Sequence, residues 1–494
     1  PASGNQPTTP FGMLNGWPVA IPSDDDRPPN WENAKDMLMS TRATSPTTRA
    51  SRPRIVILGG GFAGVTVAQA LEHHLRTGEA DVVLVSRDNA FVYYPLLPEI
   101  VPGQIRIEDI LSPIRLVAPH ARLLMGSVQA IDLDAQLVHV RYGLDHGPTD
   151  ELTLPYDHLV LALGGIPATF NIPGINEYSY QIQRLGHAFA LRNHLIDLLE
   201  QAEATDDREL RRALLTVVVI GGGATGVELA AAVEELLSRA LHYYRGLQQS
   251  DYRVVLVHAL ERLLPEAPTA LGDYAERMLH RRGIDLLLNR PVVQVEPDAV
   301  ILKDGTRIAA HTVISAIGVQ PHPLARALPV EHDRQGRIVV EPTLRVPAYP
   351  NVWAIGDLAA VPDPNTGSAY PPTAQHAIAE AETAAHNIAA TLRGRPLHAI
   401  QYRTRGQMVT LGHRTAVAAI AGRVITGHLA WWIWRTYHLL RLPRWERRLR
   451  VVFDWTLDLF FPPELVRLPV SQLTPRANAA APVAEPVSAP ANPR

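Results

Sequence analysis

The apolar positions of this chain fall into two rhythms. Four short unbroken runs, Ile55-Val56-Ile57, Val82-Val83-Leu84-Val85, Val217-Val218-Val219-Ile220 and Val254-Val255-Leu256-Val257, show no polar alternation. That is the pattern of strands buried on both faces of a parallel sheet. The first and third runs break on glycines and pass into small-residue stretches, so each predicts a strand–turn–helix unit. Residues 120–160 and 300–318 read as short strands with Gly, Pro and Asp turns, closing alike on Leu159–Gly165 and Val313–Gly318. Toward the C-terminus the period becomes helical. Leu429, Trp432, Ile433, Tyr437 and Leu440 share one face of a helix predicted over 426–441, with Trp431 and Trp434 flanking it and Pro443 ending it. Residues 444–461 form a second amphipathic stretch, with Trp445, Leu449, Val452, Phe453 and Phe460 on one face among four arginines.

The glycines that break the strands give them a chemistry. Gly59, Gly61 and Gly64, with Phe62 and Ala63 between the last two, stand at the G-x-G-x-x-G spacing. The first glycine permits the tight turn, the second lets backbone approach a pyrophosphate, and the third lets helix and strand pack closely. The helix N-terminus then offers free N–H groups to the phosphates. Gly221, Gly223 and Gly226 repeat the spacing, with Glu228 expected in the first turn of the second helix. One such motif is weak evidence; two, each with its own strand and helix, predict two bound dinucleotides. The fold predicted is α/β, with two nested Rossmann-like domains followed by an amphipathic helical region. Ser86 and His258 end the partner strands, where an acidic residue would hold ribose hydroxyls. For His258 a ribose contact and a plain strand cap remain equally open. A buried strand delivers Gly356-Asp357, whose plain reading is a turn. Residues 88–98 read as an aromatic, proline-rich loop, either packed on itself or walling a flat ring system.

Composition narrows the partners. A net charge of -3 gives no reason to expect nucleic acid. The absence of cysteine removes disulfides, thiolate metal sites and cysteine catalysis. No apolar h-region follows a basic N-terminus, which leads us to expect a cytoplasmic protein. Residues 1–51 read as a disordered leader or an over-extended gene start, and residues 471–494 as a disordered tail.

Taken in order, these motifs resemble the type II NADH:quinone oxidoreductases, single-subunit flavoproteins, over roughly residues 52–465. The more specific shared stretches are Tyr94-Pro95-Leu96-Leu97, Pro371-Pro372-Thr373-Ala374-Gln375-His376-Ala377 and Asp454-Trp455-Thr456-Leu457-Asp458-Leu459-Phe460-Phe461-Pro462. The resemblance implies an FAD domain over 52–170 and 319–398, in which Gly59, Gly61, Phe62, Ala63, Gly64, Ser86, Pro95, Gly164, Gly356 and Asp357 bind cofactor. It implies an inserted NAD(P)H domain over 171–318, with Gly221, Gly223, Gly226, His258 and Gly318 at the nucleotide. Glu228 would lie near the nicotinamide, Asp357 would hold the flavin ribityl chain, and Ala374 and Gln375 would border a quinone slot. Catalytic roles are expected for Glu228 and Gln375. NADH is the expected donor, with NADPH as a second. Ser86 and His258 replace the family's usual acids, Ala379 stands where a second glutamine is frequent, and no role follows for Leu185–Ala188. The missing cysteines exclude relatives that work through a redox disulfide.

The C-terminal helices then choose the acceptor. Tryptophans and arginines around apolar faces suit helices lying in a bilayer interface, so residues 399–470 are expected to hold the protein on the cytoplasmic face of a membrane. Residues 416–442 are long enough to span, but Arg423, His428, Arg435 and His438 interrupt them; a monotopic attachment is expected. The open alternative is that the faces pair two copies of the chain, or pack in a core. Together these readings predict a non-pumping enzyme that passes electrons from NADH through FAD to a membrane quinone. The rivals are a soluble diaphorase or ferredoxin-reductase-like flavoprotein, and a flavin redox sensor.

Overall fold

A computed structural model describes residues 52–143, 149–182, 185–457, 460–461 and 465–467. The expected leader and tail, and Asp458, Leu459 and Pro462 of the C-terminal motif, lie outside the described residues. The first apolar run forms the strand Arg54–Leu58, at the centre of a six-stranded sheet. It pairs in parallel with Asp81–Ser86 on one side and with His158–Leu161 on the other. Tyr349–Ala354 extends the sheet beyond His158–Leu161, also in parallel. The third run, Thr216–Ile220, centres a second sheet of five parallel strands, flanked by Arg253–Val257 and Thr312–Ser315. All strands of this second sheet lie in the chain between His158–Leu161 and Tyr349–Ala354 of the first, so the domains are nested. The Val/Ile/Leu runs are almost wholly buried. In the second sheet one face, with Val218, Ile220, Val255, Val257 and Val313, packs against a three-stranded antiparallel sheet of Val292–Glu296, Ala299–Leu302 and Arg307–Ala309.

Helix α1 (Phe62–His74) follows the first glycine turn, and helix α2 (Ala224–Ala240) follows the second. Helix α3 (Ala374–Leu392) returns across the first sheet and packs along α1. Its buried face is rich in alanine, with Ala377, Ala381, Ala384 and Ala385 beside Ile388. Small residues let the two axes approach closely. Gly165–Pro167 and Val319–Pro321 pair antiparallel where the chain crosses between the domains, so the closing segments on either side form one short bridge.

The C-terminal region departs from expectation at its start. Residues 416–442 are not one apolar stretch. Gly406–Thr410, Ala416–Ile420 and Arg423–Thr426 make a three-stranded antiparallel sheet. Ala421 and Gly422, both at positive φ, turn the chain between the last two strands. Helix α4 (Gly427–Arg441) begins only after them, and helix α5 (Trp445–Leu457) follows. No helix among the described residues is long and apolar enough to cross a membrane.

Because α1 and α3 meet through small residues, bulk between them cannot be absorbed. Ala381 is fully buried and lies one turn beyond Ala377, which sits with Ala63 of α1 around Gly356. Ala381→Leu should destabilise the fold by about 1–3 kcal/mol, the usual cost of overpacking, read as a lowered thermal midpoint. A midpoint unchanged from the parent would contradict this packing.

Candidate active site

The two glycine turns divide their labour identically. Gly59 stands at φ +118°, and a Cβ there would strike the carbonyl oxygen of Ala162. A Cβ on Gly64 would strike the carbonyl oxygen of Gly59. Gly61, by contrast, has no protein atom within 4 Å of where its Cβ would be. In the second unit Gly221 (φ +115°) meets Ala316 in the same way, Gly226 meets Gly221, and Gly223 faces open space. Gly61 and Gly223 cap α1 and α2, and neither offers a side chain to the first-turn N–H groups. An open approach beside an unspent helix N-terminus is what a pyrophosphate needs. FAD at the first turn and NADH at the second therefore fit the residues present.

Ser86 and His258 do something the sequence did not make visible. Each tucks beneath its turn, where the middle glycine makes room: a Cβ on Gly60 would strike Ser86, and one on Gly222 would meet the His258 ring. Ser86 Oγ accepts from the Asp88 N–H at 3.3 Å. His258 Nδ1 accepts from the Gly222 N–H at 3.0 Å, and burial lowers its pKa, so the ring braces the turn as a neutral base. Arg262 is folded back on its own loop, donating to the carbonyls of Pro265 at 2.6 Å and Ala267 at 3.3 Å.

Gly164 and Gly318 close their strands at φ +67° and +105°, each with open space at its Cβ position. Gly356 sits at φ +75° against Ala63. Its N–H donates to Glu380 Oε2 of α3 at 2.6 Å. Burial raises the pKa of Asp357, and raises that of Glu380 to about 7. Asp357 thus stands half-buried beside Gly356 and close to α1, fit to receive hydroxyl donors from a ribityl chain. Glu380 belongs to no motif and was missed; its side chain reaches back 24 residues to Gly356.

Residues 90–98 are not a loop packed on itself. Ala90–Val92 is a strand, and Tyr94–Leu96 with Pro95 inside it is a helical turn running into Leu97–Ile100. Phe91, Tyr93, Leu96 and Leu97 are buried. The Phe62 ring stands edge-on to Phe91 at 5.0 Å and to Tyr93 at 5.7 Å. Tyr93 in turn shares a hydrogen bond of 3.0 Å with Nδ1 of His438 on α4. Burial pushes His438 down to about 3, so it is neutral and Tyr93 donates.

Glu228 lies one turn into α2, deeper than its first turn. Its Oε1 accepts from the Thr410 N–H at 3.1 Å, and burial, aided by the charge of Glu99, pushes its pKa up to about 8. Ala374 and Gln375 open α3 behind Thr373. Gln375 Oε1 accepts from the Tyr402 hydroxyl at 3.1 Å and from the Arg405 N–H at 3.3 Å; its Nε2 faces the Gly406 carbonyl at 3.4 Å. Thus the C-terminal strand region touches both expected catalytic residues.

Two predictions follow from this geometry. The Cβ position is open at both Gly61 and Gly223, so Gly61→Val and Gly223→Val should both fold. Gly61→Val should purify nearly without flavin, while Gly223→Val should keep its flavin and lose NADH binding by about tenfold or more. Absorbance and fluorescence titration read the two effects; full flavin in Gly61→Val would contradict the first assignment. Glu380 keeps its proton in the fold well above the ordinary glutamate value, so its contribution to stability is lost as pH rises through about 7. Glu380→Gln cannot ionise. Its thermal midpoint should match the parent at pH 5 and exceed it at pH 8; a constant difference would refute the buried proton.

Residues 53–381 match the family model described as pyridine nucleotide-disulphide oxidoreductase. A type II NADH:quinone oxidoreductase of Mycobacterium tuberculosis is 32% identical over 441 residues, covering 85% of this chain and 90% of that protein. A demethylphylloquinone reductase of Synechocystis is 32% identical over 412 residues, covering 82% of this chain and 96% of that one. Among solved structures, NDH2 of Plasmodium falciparum in complex with NADH superposes with a TM-score of 0.76 at 19% identity, covering 84% of this chain and all of that one, and so shares the fold. The nested fold, the paired glycine turns and these relatives agree: the chain belongs to the type II NADH:quinone oxidoreductases, FAD-dependent enzymes of the pyridine nucleotide-disulphide oxidoreductase family.

Proposed function

We propose that this protein carries electrons from NADH through FAD to a quinone drawn from a lipid surface on which α4 and α5 lie. The observation that carries the lipid part is the sorting of side chains on these helices. On α4, Leu429, Trp432 and Leu440 are 63%, 52% and 60% exposed, while Trp431, Trp434, Arg435 and His438 turn inward. Trp445, Leu449, Val452 and Phe453 of α5 are exposed as well. So much apolar surface on adjoining elements marks an interaction face. Arg435 and His438, which would be costly in lipid, point the other way. The Arg435 guanidinium lies 4.1 Å above the Trp431 ring and 4.5 Å from that of Trp455, pinning α5 to α4. Arg447 of α5 reaches Asp109 of the body at 3.6 Å, and Arg106 of the body reaches Asp454 at 3.6 Å.

FAD, when bound, supplies a ring that accepts a hydride from NADH and yields two electrons to the quinone. The chain's own residues position the partners. Gly61 and Gly223 admit the two pyrophosphates, and Asp357 receives ribityl hydroxyls. Gln375 offers an N–H to a quinone carbonyl, a bond that strengthens as the oxygen gains charge. Glu228 holds a proton at neutral pH while its Oε1 accepts from the Thr410 N–H. His258, tucked beneath its turn, leaves the donor's ribose without a repelling carboxylate at the end of its strand, which supports NADPH as a secondary donor.

Charging the exposed face tests the lipid reading without touching the buried one. Trp432→Glu combined with Leu449→Glu and Phe453→Glu removes three large apolar contacts, each worth on the order of 1–3 kcal/mol when buried. The triple variant should move from the pellet to the supernatant in vesicle sedimentation. It should still reduce ferricyanide with NADH, while turnover of a long-tailed quinone in vesicles collapses. A triple variant that still pellets would favour the faces as a contact between two copies of the chain.

A further inference from the structure

We infer that Tyr402 is a positioning residue for the quinone half-reaction, holding in place a Gln375 amide whose orientation the Arg405 N–H selects. The inference rests on the reading of Gln375 as the group that meets the quinone carbonyl. A glutamine amide has an accepting oxygen and a donating NH₂, and only its hydrogen-bond partners decide which way round it sits. Here the oxygen takes two donors, the Tyr402 hydroxyl at 3.1 Å and the Arg405 N–H at 3.3 Å. Among the described residues the nitrogen has only the long contact to the Gly406 carbonyl at 3.4 Å. Turned over, the amide would set its NH₂ against the Arg405 N–H, donor against donor. The fixed orientation leaves an N–H to give to an acceptor that gains charge.

Tyr402 is itself held from several sides. Its backbone N–H and carbonyl both meet the Tyr370 hydroxyl, at 3.3 Å and 2.9 Å. Its ring stands edge-on to His376 at 5.3 Å, and His376 stacks on Tyr370 at 5.0 Å. Both nitrogens of His376 are engaged, by Thr373 at 2.6 Å and Thr404 at 3.2 Å. Burial raises the pKa of the Tyr402 hydroxyl, so it stays protonated and has a hydrogen to give the Gln375 oxygen. The hydroxyl is therefore aimed by a rigid aromatic stack, and the stack serves the one side chain that opens α3.

The test is a double-mutant cycle on the flavin-loaded protein, followed by stopped flow. Tyr402→Phe keeps the ring and its stacking but removes the donor. Re-oxidation of the reduced enzyme by a short-tailed quinone should slow about three- to tenfold, the worth of one hydrogen bond. Flavin reduction by NADH and re-oxidation by ferricyanide, which has no carbonyl to receive an N–H, should stay at the parental rate. In a Gln375→Leu background the same change should have almost no further effect, because Tyr402 acts through the amide. Equal slowing with quinone and ferricyanide, or an undiminished effect in the Gln375→Leu background, would overturn the positioning role. Gln375→Glu separates this from failure of the underlying reading. A carboxylate keeps both accepted bonds but has no N–H, so quinone re-oxidation should slow at pH 8; a parental rate would show that Gln375 does not serve the quinone at all.

Discussion

One close approach governs this molecule twice over. The helix after each glycine turn lies so near its strand that the third glycine of the motif rests against the carbonyl oxygen of the first, Gly64 on Gly59 and Gly226 on Gly221. No residue with a Cβ fits there. That contact fixes the helix axis, and the axis fixes where the uncapped N-terminus points. The open ground at Gly61 and Gly223 exists because the other glycines are filled with backbone. Ser86 and His258 complete each arrangement from below, wedged under Gly60 and Gly222. A pyrophosphate thus meets a rigid surface whose shape is set before it arrives.

The second organising feature is the segment between Tyr402 and Thr410. It reaches Gln375 at the start of α3 and Glu228 on α2, so one short stretch touches a side chain from each domain. The same stretch enters the three-stranded sheet that leads into α4. The apolar face of α4 and the expected acceptor slot are therefore parts of one covalently continuous, hydrogen-bonded piece. Tyr93 and His438 tie α4 a second time, to the aromatic cluster around Phe62 beside the first turn. A quinone arriving along α4 would meet groups whose positions are already tied to both dinucleotide turns.

Much of this was legible in the sequence because it depends on local pattern. Short β-branched runs bounded by glycine read as strands covered on both faces, and the glycine spacing names the turn that follows. The exposed positions of α4 and α5 were likewise written in their helical period. What escaped is what depends on distant pairing. Ala416–Ile420 was apolar enough to join the following helix in a one-dimensional reading; its strand character comes from Gly406–Thr410 beside it. The direction of the His258 side chain is set by the missing side chain of Gly222, 36 residues earlier. Glu380 and Tyr402 carry no motif at all, because their importance lies in the Gly356 N–H and the Gln375 amide they meet.

The central claim is that two electrons enter from NADH at the second turn and leave from the first to a quinone in lipid. The most direct measurement is anaerobic stopped flow on the flavin-loaded protein, with NADH in solution and a long-tailed quinone in vesicles. The account predicts bleaching of the flavin by NADH alone, then recovery on mixing with the vesicles, each at least as fast as steady-state turnover. Bleaching without recovery from vesicle-held quinone, while a small soluble acceptor restores the colour at once, would contradict it.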